Sequence, residues 1–125
     1  MGSRSYRILV VDDLADNLFL LQTILETSGY EVELASCGSS ALAKIFASPP
    51  DLVLLDMMMP GINGFEVIQK LRQYPHLKEL PIVLLTAYGE SLAQECLLVG
   101  ANDWMGKPLD FEELLQKVRA FIPSN

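Results

Sequence analysis

Short apolar runs alternate along this chain with segments patterned for helix, and that alternation restricts the folds open to it more than any other feature. The runs are Arg7-Ile8-Leu9-Val10-Val11, Glu31-Val32-Glu33-Leu34, Leu52-Val53-Leu54-Leu55 and Ile82-Val83-Leu84-Leu85, with a weaker fifth near Asp103-Trp104-Met105. Several are apolar throughout, as strands covered on both faces are. Between them, Leu14, Leu18, Leu21 and Leu25 fall at spacings of four, three and four, one stripe of a helix that Gly29 is expected to cap. Ala41, Leu42, Ile45 and Phe46 make a second stripe, ended by Pro49-Pro50, and Val67, Ile68 and Leu71 a third. Ser91 with Gln94 is expected to form a capping box opening the fourth helix. Asp110 with Glu113 is expected to do the same for a fifth, striped by Phe111, Leu114, Leu115, Val118 and Ile122. The expected fold class is therefore α/β: a doubly wound, five-stranded parallel sheet with right-handed crossovers and five helices on its two faces.

The 125 residues suit one domain, and half of them are hydrophobic, enough to bury a core. Nothing apolar runs for the roughly 18 residues of a membrane span. The net charge of −7 argues against direct binding of nucleic acid, which needs a clustered positive surface. Cys37 and Cys96 have no Cys or His at metal-ligand spacing, and both read as reduced thiols of a cytoplasmic chain. His76, the single histidine, lies beside Pro75 and reads as a surface residue.

In an open parallel sheet, ligands bind beyond the carboxyl ends of the strands. The first run here ends in Asp12-Asp13, the third in Asp56, the fourth in Thr86-Ala87, and the fifth leads to Lys107-Pro108. A single Asp at a strand end is commonly only a turn former or a helix cap. The whole set, each member at a strand end, points instead to shared chemistry. Two carboxylates about 4 Å apart repel by roughly 4 kcal/mol at an effective dielectric near 20, so a compensating charge is required. Lys107 supplies part of it. A hard cation such as Mg²⁺, which prefers carboxylate oxygen and keeps some of its waters, supplies more and leaves room for a phosphoryl group.

These residues carry a family resemblance. The segments ILVVDD (8–13), LVLLDMMMPGINGFEV (52–67), PIVLLTA (81–87) and GANDWMGKPL (100–109) together resemble a response-regulator receiver domain of two-component signalling, from about Tyr6 to Ile122. The resemblance implies a flavodoxin-like strand order 2-1-3-4-5, with Asp56 accepting a phosphoryl group from a phosphohistidine. It implies that Asp13 ligates Mg²⁺ directly, that Asp12 holds the metal or its waters, and that Asp56 and the Met58 backbone carbonyl add further ligands. Thr86 is expected to hydrogen-bond a phosphoryl oxygen, Lys107 to pair with it, and the Lys107–Pro108 peptide to be cis. Met57 and Met58 are expected to pack in the loop, since thioether sulfur is too soft for Mg²⁺. Met59-Pro60-Gly61 and Gly64 match the loop after the phosphorylation site. Trp104 departs from the family pattern, which has Tyr or Phe there. It reads as a switch aromatic of the surface formed by helix 4, strand 5 and helix 5, as part of a partner surface, or as plain packing.

Other readings fit less well. An aspartate-nucleophile phosphatase has Asp-x-Asp after its first strand, and Asp12-Asp13-Leu14 lacks that spacing. A flavin-binding electron carrier needs a Ser/Thr/Gly-rich loop where Leu14-Ala15-Asp16-Asn17 stands. A pseudo-receiver acting only as an interaction module lacks the nucleophile or the lysine, and both are present here. The chain thus reads as a signalling domain that promotes its own phosphotransfer and dephosphorylation, not as an enzyme. Its expected partners are a histidine kinase or histidine phosphotransfer domain and a downstream protein or in-chain output domain, with homodimerisation also open. The domain is expected to span residues 6–122, with a tag-like start at 1–5, a tail at 123–125 and no output domain of its own. Met1-Gly2-Ser3 and a resemblance of Asp16-Asn17 and Gly29-Tyr30-Glu31-Val32 to hybrid-kinase receivers favour a piece excised from a larger protein.

Overall fold

The computed structural model describes residues 5–123; most of the expected tag-like start and the Ser124-Asn125 end of the tail lie outside them. Five strands, β1 (Arg7–Val11), β2 (Glu31–Ala35), β3 (Leu52–Asp56), β4 (Ile82–Thr86) and β5 (Asp103–Gly106), alternate with five helices: α1 (Ala15–Thr27), α2 (Gly38–Ala47), α3 (Gly64–Leu71), α4 (Ala93–Val99) and α5 (Phe111–Phe121). All strand pairs are parallel and the order is β2-β1-β3-β4-β5, the doubly wound arrangement expected from the sequence.

The apolar runs are continuous because the sheet is covered on both sides, yet their period of two survives inside it. Leu9, Val11, Val53, Leu55 and Leu84 face a core shared with Ala41 and Ile45 of α2, Val67, Ile68 and Leu71 of α3, and Cys96 of α4. Ile8, Val10, Leu52, Leu54, Val83 and Leu85 face the opposite core, with Leu18, Leu21 and Leu25 of α1 and Leu114 and Val118 of α5. Burying each Leu or Ile contributes about 1.5–3 kcal/mol. Every residue of β3 and β4 is buried, whereas β2, at an edge, keeps Glu31 exposed and three residues half-buried. Tyr30, buried just before β2, donates its hydroxyl proton to Ile122 O at 3.0 Å and fastens the end of α5 to the sheet.

Four helix expectations need correction. Leu14 is the residue before α1 rather than part of its buried stripe, and it is 56% exposed. Phe46 and Phe111 also turn outward; the Phe46 ring meets Tyr74 edge-on at a centroid distance of 5.0 Å. Ser91 does not open the fourth helix. It lies in a 3-10 turn, Gly89–Leu92, where its hydroxyl donates to Tyr88 O, and α4 follows directly with no side-chain cap. The capping box that does form is Asn63 with Glu66, at the start of α3. Asp110 caps α5, accepting from the amides of Glu112 and Glu113, but the Glu113 side chain makes no return bond, so the expected box is only half formed; Gly29 turns the chain after the Ser28 cap of α1 with φ of 97°.

Candidate functional site

The central strands deliver the acids to one place. Val11 lies beside Ala35 and Leu55, and Asp56 beside Leu85, so β1 and β3 end together at the carboxyl edge. Asp12 follows β1, keeps the ladder going by donating its amide to Ala35 O at 3.1 Å, and is 1% exposed. Asp13 turns out to solvent, and Asp56, the last residue of β3, is buried. One carboxylate oxygen from each of Asp12, Asp13 and Asp56 lies within 4.8 Å of the others.

Lys107 closes the group. Its amide donates to Thr86 O at 2.8 Å, extending the β4–β5 pairing, and its peptide bond to Pro108 is cis. Its Nζ stands 3.1 Å from Asp56 Oδ1 and 3.7 Å from Asp12 Oδ2. The Asp12 carboxylate is held further by the chain itself: Oδ1 accepts from the Leu14 amide at 2.9 Å, and Oδ2 from Asn17 Nδ2 at 3.2 Å. Asp56 Oδ1 also accepts from the Met58 amide at 3.4 Å. Burial pushes the Asp56 carboxyl above its ordinary value. The hydrogen bond and charge of Lys107 pull it down, the charge of Asp12 pushes it up, and the Met58 amide pulls it down.

Backbone packing against the start of α3 also holds the chain at Asp56. The Gly64 amide donates to Met57 O at 2.9 Å, and a Cβ there would stand 3.0 Å from Met57 Cα and 3.1 Å from Asp56 O. Only glycine lets the start of α3 come this close to the chain after β3. Met57 and Met59 pack into the core beneath, while the Met58 side chain is 52% exposed and does not pack as expected. Thr86 is fully buried, its Oγ1 accepting from the Tyr88 amide at 3.0 Å. Trp104 is half-buried against the core on the α2–α3–α4 side, beside Leu84. His76 sits exposed in a 3-10 turn, Pro75–Leu77. Cys37 and Cys96 are free thiols; Cys37 Sγ caps α2, accepting from the Ser40 amide.

The structure therefore brings Asp12, Asp13, Asp56 and Lys107 into one cluster, with Thr86 at the end of the neighbouring strand. Sequence reasoning missed Asn17 as a partner of Asp12; the available signal was an amide in the first turn of a helix that follows a carboxylate pair. The cluster gathers three carboxylates with one ammonium, which reaches Asp56 and Asp12, and the carboxylate donor atoms are all hard oxygens. That donor set fits a hard divalent cation of the Mg²⁺ type.

A doubly wound parallel sheet bearing these acids at its switch point and a lysine beyond its last strand defines a receiver-type signalling domain. The sequence model of the response regulator receiver domain matches residues 8–119, and the chain belongs to that family, whose members work in two-component systems with histidine kinases and output domains. It is 44% identical over 117 residues to the response regulator PleD of Caulobacter vibrioides, across 93% of this chain and 26% of PleD. Among solved structures, it resembles the chemotaxis response regulator CheY4 of Vibrio cholerae with a TM-score of 0.89 and 33% identity, over 95% of this chain and all of that one. It also resembles the receiver domain of the sensor histidine kinase PA1611 of Pseudomonas aeruginosa, solved with a magnesium ion coordinated in its active site cleft, with a TM-score of 0.87 and 28% identity over 95% and 98% of the two chains. The chain spans between 26% and 53% of the length of curated relatives of the response-regulator type. Among the described residues, no helix is long and apolar enough to cross a membrane.

Proposed function

We propose that Asp56 is the phosphoacceptor of a two-component phosphorelay. The observation that carries this reading is the position of Asp56: last in β3, buried, paired with Lys107, and within 4.8 Å of two further carboxylates. An Asp56 oxygen attacks the phosphorus of a phosphohistidine, the new O–P bond forms as the P–N bond breaks, and the imidazole nitrogen keeps the electron pair. The donor is a histidine kinase or a histidine phosphotransfer domain.

Asp12, Asp13, Asp56 and the Met58 carbonyl would hold Mg²⁺, and the likeness to the magnesium-bound PA1611 receiver supports this assignment. When bound, the ion supplies positive charge that offsets the cluster and the oxygens of the transferring group. The rest falls to the chain. Lys107 is within reach of the same oxygens, and phosphoryl transfer depends chiefly on such positioning and charge. Thr86 offers a hydroxyl at the end of β4, and with Trp104 it links the site to the surface of α4, β5 and α5. The domain acts as a signalling switch that promotes its own phosphorylation and dephosphorylation rather than as an enzyme with a separate substrate. It works in the cytoplasm, where thiols such as Cys37 and Cys96 stay reduced.

The test is phosphorylation by phosphoramidate with Mg²⁺, read by intact mass, on the wild type and on Asp56→Asn. The wild type is expected to gain one phosphoryl group and the variant none; equal uptake overturns the assignment.

A further inference from the structure

We propose that Asn17 is a positioning residue for this chemistry: its amide occupies the Asp12 oxygen that faces Lys107, and so keeps the lysine ammonium on Asp56. The inference rests on Asp56 being the phosphoacceptor.

Two donors converge on one atom. Asp12 Oδ2 accepts from Asn17 Nδ2 at 3.2 Å and lies 3.7 Å from Lys107 Nζ. The same Nζ is 3.1 Å from Asp56 Oδ1. Lys107 is thus within hydrogen-bonding distance of Asp56 and beyond it from Asp12. The other Asp12 oxygen is occupied by the Leu14 amide. Asp12 is 1% exposed, so water does not readily replace a lost partner. Leaving a buried carboxylate oxygen without a donor is unfavourable, and more so when the group is charged.

Without the Asn17 amide, the nearest remaining donor to Oδ2 is Lys107. An N⁺–H···O⁻ bond of about 2.8 Å needs the ammonium to move by only about 1 Å, well within the freedom of a four-carbon stem. That movement draws it from Asp56 toward Asp12. A displacement of about 1 Å in a catalytic constellation is enough to slow a reaction severely. The residue type fits the task. Asn17 is the third residue of α1 and lines one recess together with Asp12 and Lys107. It is a neutral donor, where an acid would add a fourth carboxylate and a base a second cation.

The experiment uses the whole chain with Asn17→Leu, which keeps bulk and removes the donor, Asn17→Ser, whose side chain is too short to span to Asp12, and Asn17→Gln, which keeps an amide. Two quantities are measured: the maximal rate of phosphorylation by phosphoramidate at saturating Mg²⁺, and the nitrogen resonance of the Lys107 ammonium in metal-free protein, assigned with Lys107→Arg. The Leu and Ser variants are expected to lose roughly tenfold in rate, the worth of one hydrogen bond to a charged group. They are also expected to shift the ammonium resonance, and the Gln variant to recover most of both. An unmoved resonance, whatever the rate, overturns the proposal, because a merely structural tie of α1 to Asp12 leaves Lys107 where it was. Absence of phosphorylation in the wild type would overturn the assignment of Asp56 instead, and the ammonium resonance would still report on Asn17.

Discussion

The Lys107 ammonium lies 3.1 Å from Asp56 Oδ1, joining a residue beyond β5 to the last residue of β3 across 51 positions of sequence. Burial alone disfavours the charged Asp56, and this contact is the largest influence opposing it.

Removing that cation exposes its worth. Lys107→Ala should lower stability at neutral pH by roughly 1.5–3 kcal/mol, the value of a hydrogen bond to a charged group. Urea denaturation in EDTA measures it. Mg²⁺ affinity should hold or rise, since a positive charge leaves the neighbourhood of the acids, while the response to phosphorylation weakens. Full activation of the variant would remove Lys107 from its assigned role.

Asp56 also predicts a pH dependence. A carboxyl whose folded pKa is raised binds its proton more tightly folded than unfolded. Stability therefore falls as pH climbs from the ordinary value of 3.8 through the raised folded value, and the loss is complete above it. Without metal, Asp56→Asn should melt at a higher temperature than the wild type at neutral pH. The gap should close as the pH falls toward about 4. Thermal melts in EDTA across this range decide it, and a wild type more stable than the variant at neutral pH contradicts the sign.

Gly64→Ala sets two effects against each other. Helix propensity favours alanine by about 1 kcal/mol. The new Cβ would stand 2.8 Å from Leu84 Cδ2 and 3.0 Å from Met57 Cα, and backbone does not yield easily. Overpacking of this kind costs about 1–3 kcal/mol, so the variant should be destabilised and its phosphorylation slowed. Stability equal to or above the wild type would show that the loop gives way.

Arg72 is held by four hydrogen bonds: those to Gly100 O, twice, and Asn102 Oδ1 bind the end of α3 to the α4–β5 turn, and that to Leu77 O ties it to the Pro75–Leu77 turn. A lysine cannot reproduce that planar fork. Arg72→Lys should cost about 2 kcal/mol by chemical denaturation, most of what Arg72→Ala costs. A lysine variant as stable as the wild type would count against the guanidinium geometry.

Trp104, the single tryptophan, is half-buried two strands from Asp56 and three residues before Lys107. Its fluorescence should change on adding Mg²⁺ with beryllofluoride, a phosphoryl mimic. A flat signal, with binding confirmed by calorimetry, would separate Trp104 from the switch.

The strands were legible in the sequence because two-sided burial leaves an unbroken apolar run, as in Leu52–Asp56 and Ile82–Thr86. The acids were legible because they stand where those runs stop. Helix starts were less so. Ser91 and Gln94 have the spacing of a capping box, but the chain enters α4 by winding straight out of a 3-10 turn, with Leu92 at φ −114° and ψ 8° instead of an extended cap. The Asn63–Glu66 box was there to be read, four residues ahead of Val67-Ile68, but was masked by its match to a loop motif. Outward turns of Leu14, Phe46 and Phe111 follow from where each helix begins and ends, which periodicity does not locate. The tie made by Arg72 depends on which oxygens distant elements bring near, and no local pattern encodes it, whereas that of Asn17 had only the weak signal of an amide in the first turn after a carboxylate pair.

Asp56 closes a strand in which every residue is buried, whereas α4 buries only Cys96 and leaves Leu97 and Leu98 exposed. Amide hydrogens in the central strands should exchange with solvent only through global opening, and those of α4 through local fraying. On the proposed reading, with Asp56 as phosphoacceptor and α4 in the responding surface, the signal would be recorded in a slowly exchanging segment and displayed through a faster one. The lifetime of the record and the speed of the display can then be tuned by separate sets of residues.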